Sequence, residues 1–137
     1  MSDKYFLDTN IIVYSFGDTE KSHTAQDLIR GALTSGNGSV SYQVIQEFVN
    51  VASKKFSEPI KIEDIRHYLR QVLFPLLSVY SSQELYMSAL DISERWQYSF
   101  YDSLIIAGAL SIDCKILYSE DLQDGQKIYG LQVVNPF

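Results

Sequence analysis

Four acidic residues sit where chemistry is possible: Asp8, Glu47, Asp102 and Asp121. Asp8 directly follows the apolar run Tyr5-Phe6-Leu7, and Asp121 lies just past the run Lys115 to Tyr118. Glu47 falls in the first turns of the helical pattern after Ser39 to Tyr42, and Asp102 opens the apolar segment that leads into Lys115. Singly, each has an ordinary explanation. Asp8 and Asp121 suit helix N-caps, Glu47 a surface acid favoured by the helix dipole, and Asp102 the second half of the capping box Ser99-x-x-Asp102. Gathered at one rim, four carboxylates repel one another and raise one another's pKa unless a cation sits between them. A hard divalent ion such as Mg²⁺ or Mn²⁺ answers that need. It prefers oxygen ligands and keeps positions open for water and phosphate oxygens.

The rim depends on the elements. Tyr5-Phe6-Leu7 reads as a first strand and Ile11 to Phe16 as an apolar segment after it. Asp18 to about Thr34 reads as a helix ended by Gly36, and Ser39 to Tyr42 as a second strand. Val44, Ile45, Phe48, Val49, Ala52 and Phe56 recur at helical spacing. Ile62, Ile65, Leu69, Val72 and Leu73 mark a further helix that Pro75 should close. Leu76 to Tyr80 reads as a third strand. A capping box Ser81-x-x-Glu84 opens a helix to about Trp96, and Ser99 opens another through Ile112. Lys115 to Tyr118 and Leu131 to Val134 complete five strands. Strands separated by helices predict a three-layer α/β/α domain with a mostly parallel five-stranded sheet, spanning residues 1–137 as one unit. In such sheets ligands bind outside the carboxyl ends of the strands. The helix opened by Asp102 must finish where the fourth strand begins, so its start lies at the same rim as Asp8, Glu47 and Asp121. Asp113 precedes the fourth strand and falls at the opposite edge. Asp3, Asp18, Asp27, Glu63, Asp64 and Asp91 read as solvent-facing charge. Glu120 and Asp124 flank Asp121 and remain open as additional acids.

Composition narrows the classes. The chain has 137 residues, 46% hydrophobic and 20% charged, a globular balance that excludes disorder as the main state. With 11 basic and 17 acidic residues the net charge is −6, so a basic nucleic-acid footprint is absent and any polyanion must meet metal or a local patch. A single cysteine, Cys114, excludes an internal disulfide framework, suits the cytoplasm and reads as a buried small hydrophobe. No signal peptide is expected from Met1 to Asn10, and the longest apolar stretch, about Leu104 to Leu110, is too short to span a membrane. His23 and His67 lack the partners that catalysis requires.

Four segments together resemble the PIN-domain nucleases. They are Phe6-Leu7-Asp8-Thr9-Asn10-Ile11-Ile12-Val13-Tyr14, Ser41-Tyr42-Gln43-Val44-Ile45-Gln46-Glu47-Phe48, Tyr101-Asp102-Ser103-Leu104-Ile105-Ile106-Ala107 and Tyr118-Ser119-Glu120-Asp121-Leu122. The size and the absence of appended domains resemble VapC-type toxins of toxin–antitoxin pairs. The resemblance implies a five-stranded parallel sheet, Mg²⁺- or Mn²⁺-dependent ribonuclease activity, a homodimer and an antitoxin that occludes the site. It makes Asp8, Glu47, Asp102 and Asp121 the acidic quartet, with Asn10 and Ser119 as polar support. The metal would lower the pKa of a water that attacks the phosphodiester phosphorus in line.

Two other readings compete. A haloacid-dehalogenase-type phosphatase also uses an Asp after the first strand, but it wants a second Asp two residues on, where this chain has Asn10. A PIN-like scaffold that binds RNA or protein with little catalysis would keep the fold without turnover. For contact with RNA the basic candidates are Lys54, Lys55, Arg66, Arg70 and Arg95. The apolar stripes of 20–35 and 61–74 could extend into a dimer or antitoxin groove.

Overall fold

Tyr5–Leu7 forms β1, the middle of the fold, in a computed structural model that describes residues 3–137. Phe6 and Leu7 are fully buried, and the strand alternates between two helical layers. Tyr5 turns to one side, its hydroxyl 3.5 Å from the Leu28 carbonyl, while Phe6 turns to the other, toward Gly108. The strand ends at Asp8, whose carboxylate accepts from the Thr9 amide and caps α1 (Thr9–Tyr14). The expected apolar segment after β1 is thus a helix, with Ile11 and Ile12 on its buried face.

From there the chain runs through α2 (Glu20–Ser35), β2 (Gly38–Ser41), α3 (Tyr42–Lys54) and α4 (Ile62–Tyr68). Thr19 caps α2 and Gly36, in the left-handed region at φ 76°, ends it. Ser41 caps α3. Pro75 does not close the helix after α4. A π-helical turn over Leu69–Leu73 carries the chain into a short α5 (Phe74–Leu76) with the proline at its start. Proline is tolerated there because the first-turn amide has no intrahelical partner to lose.

The chain continues through β3 (Leu77–Val79), α6 (Gln83–Trp96), α7 (Phe100–Ser111), β4 (Ile116–Tyr118), β5 (Lys127–Ile128) and β6 (Leu131–Val134). The cap of α6 is Ser82, which accepts from the Leu85 amide, rather than Ser81. Ser99 caps α7 by accepting from the Asp102 amide, as its spacing predicts.

The sheet has six strands in the order β3-β2-β1-β4-β6-β5, one more than expected. The extra strand is β5, which pairs antiparallel with β6 around Tyr129 and Gly130. Both loop residues have positive φ, 52° and 94°, the geometry of a tight hairpin turn that matches strand twist. Two residues of strand carry no readable alternation. The other pairings are parallel. Right-handed crossovers put α1–α5 on one face and α6–α7 on the other, consistent with the packing of α1 on α2 and α3 and of α6 on α7.

β1 lies where the strand order reverses, with β2 and β3 to one side and β4, β6 and β5 to the other. The carboxyl ends of β1 and β4 therefore flank the topological switch point, where the separating connections leave a crevice. The Asp8 amide donates to the Tyr118 carbonyl at 3.0 Å and holds the two ends together. No helix among the described residues is long and apolar enough to cross a membrane.

Candidate active site

Asp8 is 7% exposed at the switch point. Its Oδ1 accepts from the Thr9 amide at 2.7 Å and its Oδ2 from Ser119 Oγ at 2.8 Å. Burial pushes its carboxyl up to about 7, opposed by those two donors and reinforced by the negative charges of Glu47 and Asp121. Glu47 and Asp121 thus both lie near enough for their charge to act on Asp8.

Asn10 ties the ends of β1 and β4 together. Its side-chain amide lies 3.1 Å from Asp121 Oδ2, 3.4 Å from Asp8 Oδ2 and 3.4 Å from Ser119 Oγ. Its Oδ1 accepts from the Glu120 amide at 3.2 Å. Ser119 is fully buried, and besides donating to Asp8 it accepts from the Asp121 amide at 3.2 Å. Asn10 and Ser119 thus orient both carboxylates, in the manner of outer-shell partners at metal sites.

Glu47 approaches from α3. Thr9 Oγ1 donates to its Oε1 at 2.5 Å, and Gln43 Nε2 donates to its Oε2 at 3.3 Å. Gln43 also donates to the Tyr101 carbonyl at 3.2 Å, which fastens the first turn of α7 beside α3. That contact puts Asp102 at the same edge as Glu47. The Asp102 carboxylate itself makes no hydrogen bond among the described residues and is half-buried.

The two flanking acids do other work. Glu120 accepts from Tyr14 at 2.5 Å and from Lys21 Nζ at 2.7 Å, and its carboxyl is held below the usual range by Lys21 first and Tyr14 second. Asp124 accepts from the Asn135 amide at 2.8 Å and pins the C-terminal segment. Asp3, Asp18, Asp27, Glu63, Asp64 and Asp91 are exposed, and Asp113 lies before β4 at the far edge. His23 and His67 are exposed, and Cys114 is buried with its thiol pushed up to about 11.

Thr9, Gln43 and Lys21 were not singled out from sequence. Gln43 had a readable signal, since it stands four residues before Glu47 on one helix face. Thr9 and Lys21 had none, because their partners are distant in the chain.

The donor set is all oxygen, as a hard cation requires. Among the described residues no three His, Cys, Asp or Glu side chains are drawn tightly enough to enclose an ion. A cation would also offset the burial of the Asp8 charge and its repulsion by Glu47 and Asp121.

The PIN domain family matches residues 5–126. No curated protein sequence matches the chain. Among solved structures, a toxin–antitoxin complex from Klebsiella pneumoniae has a chain with a TM-score of 0.70 at 20% identity, covering 98% of each chain. FitAB bound to a DNA fragment has a chain with a TM-score of 0.67 at 15% identity, covering 96% of this chain and 94% of that one. VapC20 of Mycobacterium tuberculosis, described as a sarcin–ricin loop cleaving toxin, gives 0.62 at 16% identity, covering 85% and 88%. At these identities the likenesses speak to fold. The family match spans most of the chain, and this protein belongs to the PIN domain family.

Proposed function

We propose that the chain is a metal-dependent endoribonuclease and the toxin component of a toxin–antitoxin pair. The observation that carries the reading is Asp8: a carboxylate raised by burial first and by the charges of Glu47 and Asp121 after it, at the switch point of the sheet. An acid in that position is costly without a cation and useful with one. Asp8, Glu47, Asp102 and Asp121 would hold Mg²⁺ or Mn²⁺. When bound, the ion supplies an activated water and neutralises charge on the phosphoryl oxygens. Asn10 and Ser119 keep the Asp8 and Asp121 oxygens facing the ion, and Thr9 and Gln43 do so for Glu47. The reading places the protein in the cytoplasm with its RNA, as a homodimer that an antitoxin silences. The solved toxin complexes with this fold support the antitoxin partner.

The test is cleavage of a mixed structured RNA pool by purified protein with Mg²⁺, with Mn²⁺ and with chelator. The expected result is cleavage that either metal sustains and chelator stops. Cleavage that persists in chelator contradicts the reading. Metal binding without turnover on any RNA would favour the binding-module alternative.

A further inference from the structure

We propose that the trough between α1 and α3 is a subsite for one nucleotide of single-stranded RNA beside the scissile phosphate, read by Asn50 and anchored by Lys55. The inference rests on the nuclease reading above and names how that site would hold its substrate. The trough is a cavity of about 500 Å³, within the size range of small-ligand sites. Glu47 and Asp121 stand at the carboxylate end. From Glu47 the helix face continues through Asn50 and Val51 to Lys55, at spacings of three, four and eight residues that keep them on one side. Eight residues of helix rise about 12 Å. Lys55, which caps α3, therefore stands toward the other end of the trough from Glu47, placed for a neighbouring phosphate.

The walls suit a base. Val13 and Val51 are half-buried and face the cavity, and the Tyr14 ring completes the apolar side. The Tyr14 hydroxyl is committed to Glu120, which holds the ring in place at the cavity wall as an apolar boundary. Thr9, Asn10, Glu47 and Asp121 are bonded among themselves at the carboxylate end, which leaves Asn50 and Lys55 as the free polar groups of the lining. The side-chain amide of Asn50 makes no hydrogen bond among the described residues, and it offers both a donor and an acceptor to a base edge. Lys55 is exposed and forms no ion pair among the described residues, while its backbone amide is anchored at 2.8 Å to the Val51 carbonyl. It is the cation that lines this cavity; Lys54, next to it in sequence, does not. In a chain of net charge −6, a local cation on the substrate path is what a polyanion needs.

The test is fluorescence anisotropy with four fluorescein-labelled homopolymeric RNA hexamers, in chelator and again with Ca²⁺. Wild type is compared with Lys55→Ala, Asn50→Ala and Lys54→Ala. Lys54→Ala removes the same charge one residue away, so it controls for bulk electrostatics. Lys55→Ala is expected to weaken binding by about five- to tenfold and to lower the salt slope by about one. Lys54→Ala should change affinity by less than about twofold, as expected of a solvated surface charge. Asn50→Ala should flatten or reorder the preference among the four hexamers. Equal losses in the two lysine variants, an unaltered preference in Asn50→Ala, or no binding by wild type would each overturn the subsite. Binding is read without turnover, so a failure of the nuclease reading registers separately, in the cleavage assay.

Discussion

Burial takes Asp8 out of water while Glu47 and Asp121 add negative charge beside it, and its carboxyl rises to about 7. The folded protein therefore holds a proton there that the unfolded chain has already released above about pH 4. Stability from this group is present below the unfolded value and is lost as pH rises through about 7, on the order of 4 kcal/mol. Asp8→Asn escapes that loss. In metal-free buffer its melting temperature should match wild type near pH 4 and exceed it near pH 8, while Mg²⁺ at pH 8 should raise wild type alone. Parallel pH profiles for the two proteins would contradict the account. At this scale the four acids could be picked out as candidates because Asp8 and Asp121 follow strands, Asp102 lies in the first turn of α7 and Glu47 in the second turn of α3. The role of Glu120 was not readable, since Lys21 and Tyr14 meet it from about a hundred positions away in the chain.

The loop after β4 is set by more than its own residues. Glu120 is clamped by Lys21 and Tyr14, Lys21 sits 5.0 Å from the Tyr14 ring centre and 5.7 Å from that of Phe137, and the two rings meet edge to face at 5.1 Å. The clamp fixes the backbone one residue before Asp121. Glu120→Gln and Lys21→Ala should each raise the Mg²⁺ needed for half-maximal cleavage by about tenfold, the scale of outer-shell changes at metal sites. The double variant should be no worse than either single one, because both remove one contact. Full loss in Glu120→Gln with an active Asp121→Asn would reassign the ligand to Glu120. The Ser99 cap was legible directly and the Ser81 capping box fell one residue from the true cap, Ser82, while the helix read from Asp18 begins at Glu20 behind Thr19. Two features escaped pattern reading. β5 exists only through the turn at Tyr129 and Gly130, and the helix after Ile62 survives Pro75 through a π-helical turn.

Across the molecule, exposed apolar area is concentrated on α6 and at the start of α7. Tyr86, Met87 and Leu90 lie outward on α6 at 42%, 63% and 51% exposure, while Leu85, Ala89 and Ile92 face the core. Tyr101, at 65%, extends the patch to the residue before Asp102. Leu33, Ile62 and Phe74 are exposed singly on the helices whose stripes suggested a partner groove. For the proposed homodimer, the α6 patch is the candidate surface for a second copy, since water-exposed apolar clusters mark interaction sites. Leu90→Glu should convert a dimer to a monomer in light scattering after size exclusion. A dimer unaffected by that change would place the interface elsewhere. The layer order was legible from alternating strand and helix patterns and from the handedness of crossovers. The outward face of α6 was not, because its apolar residues flank an inward stripe and sequence alone does not say which side is covered.

The proposed site stands on four carboxylates acting together, and Asp102 tests it best because its side chain has no partner among the described residues to blame for misfolding. The measurement is the single-turnover rate of RNA cleavage at saturating Mg²⁺, wild type beside Asp102→Asn. The account predicts a fall of about a hundredfold or more, the scale of losing one group that stabilises charge in the transition state, with the melting temperature unchanged. Equal rates in the two proteins would contradict it.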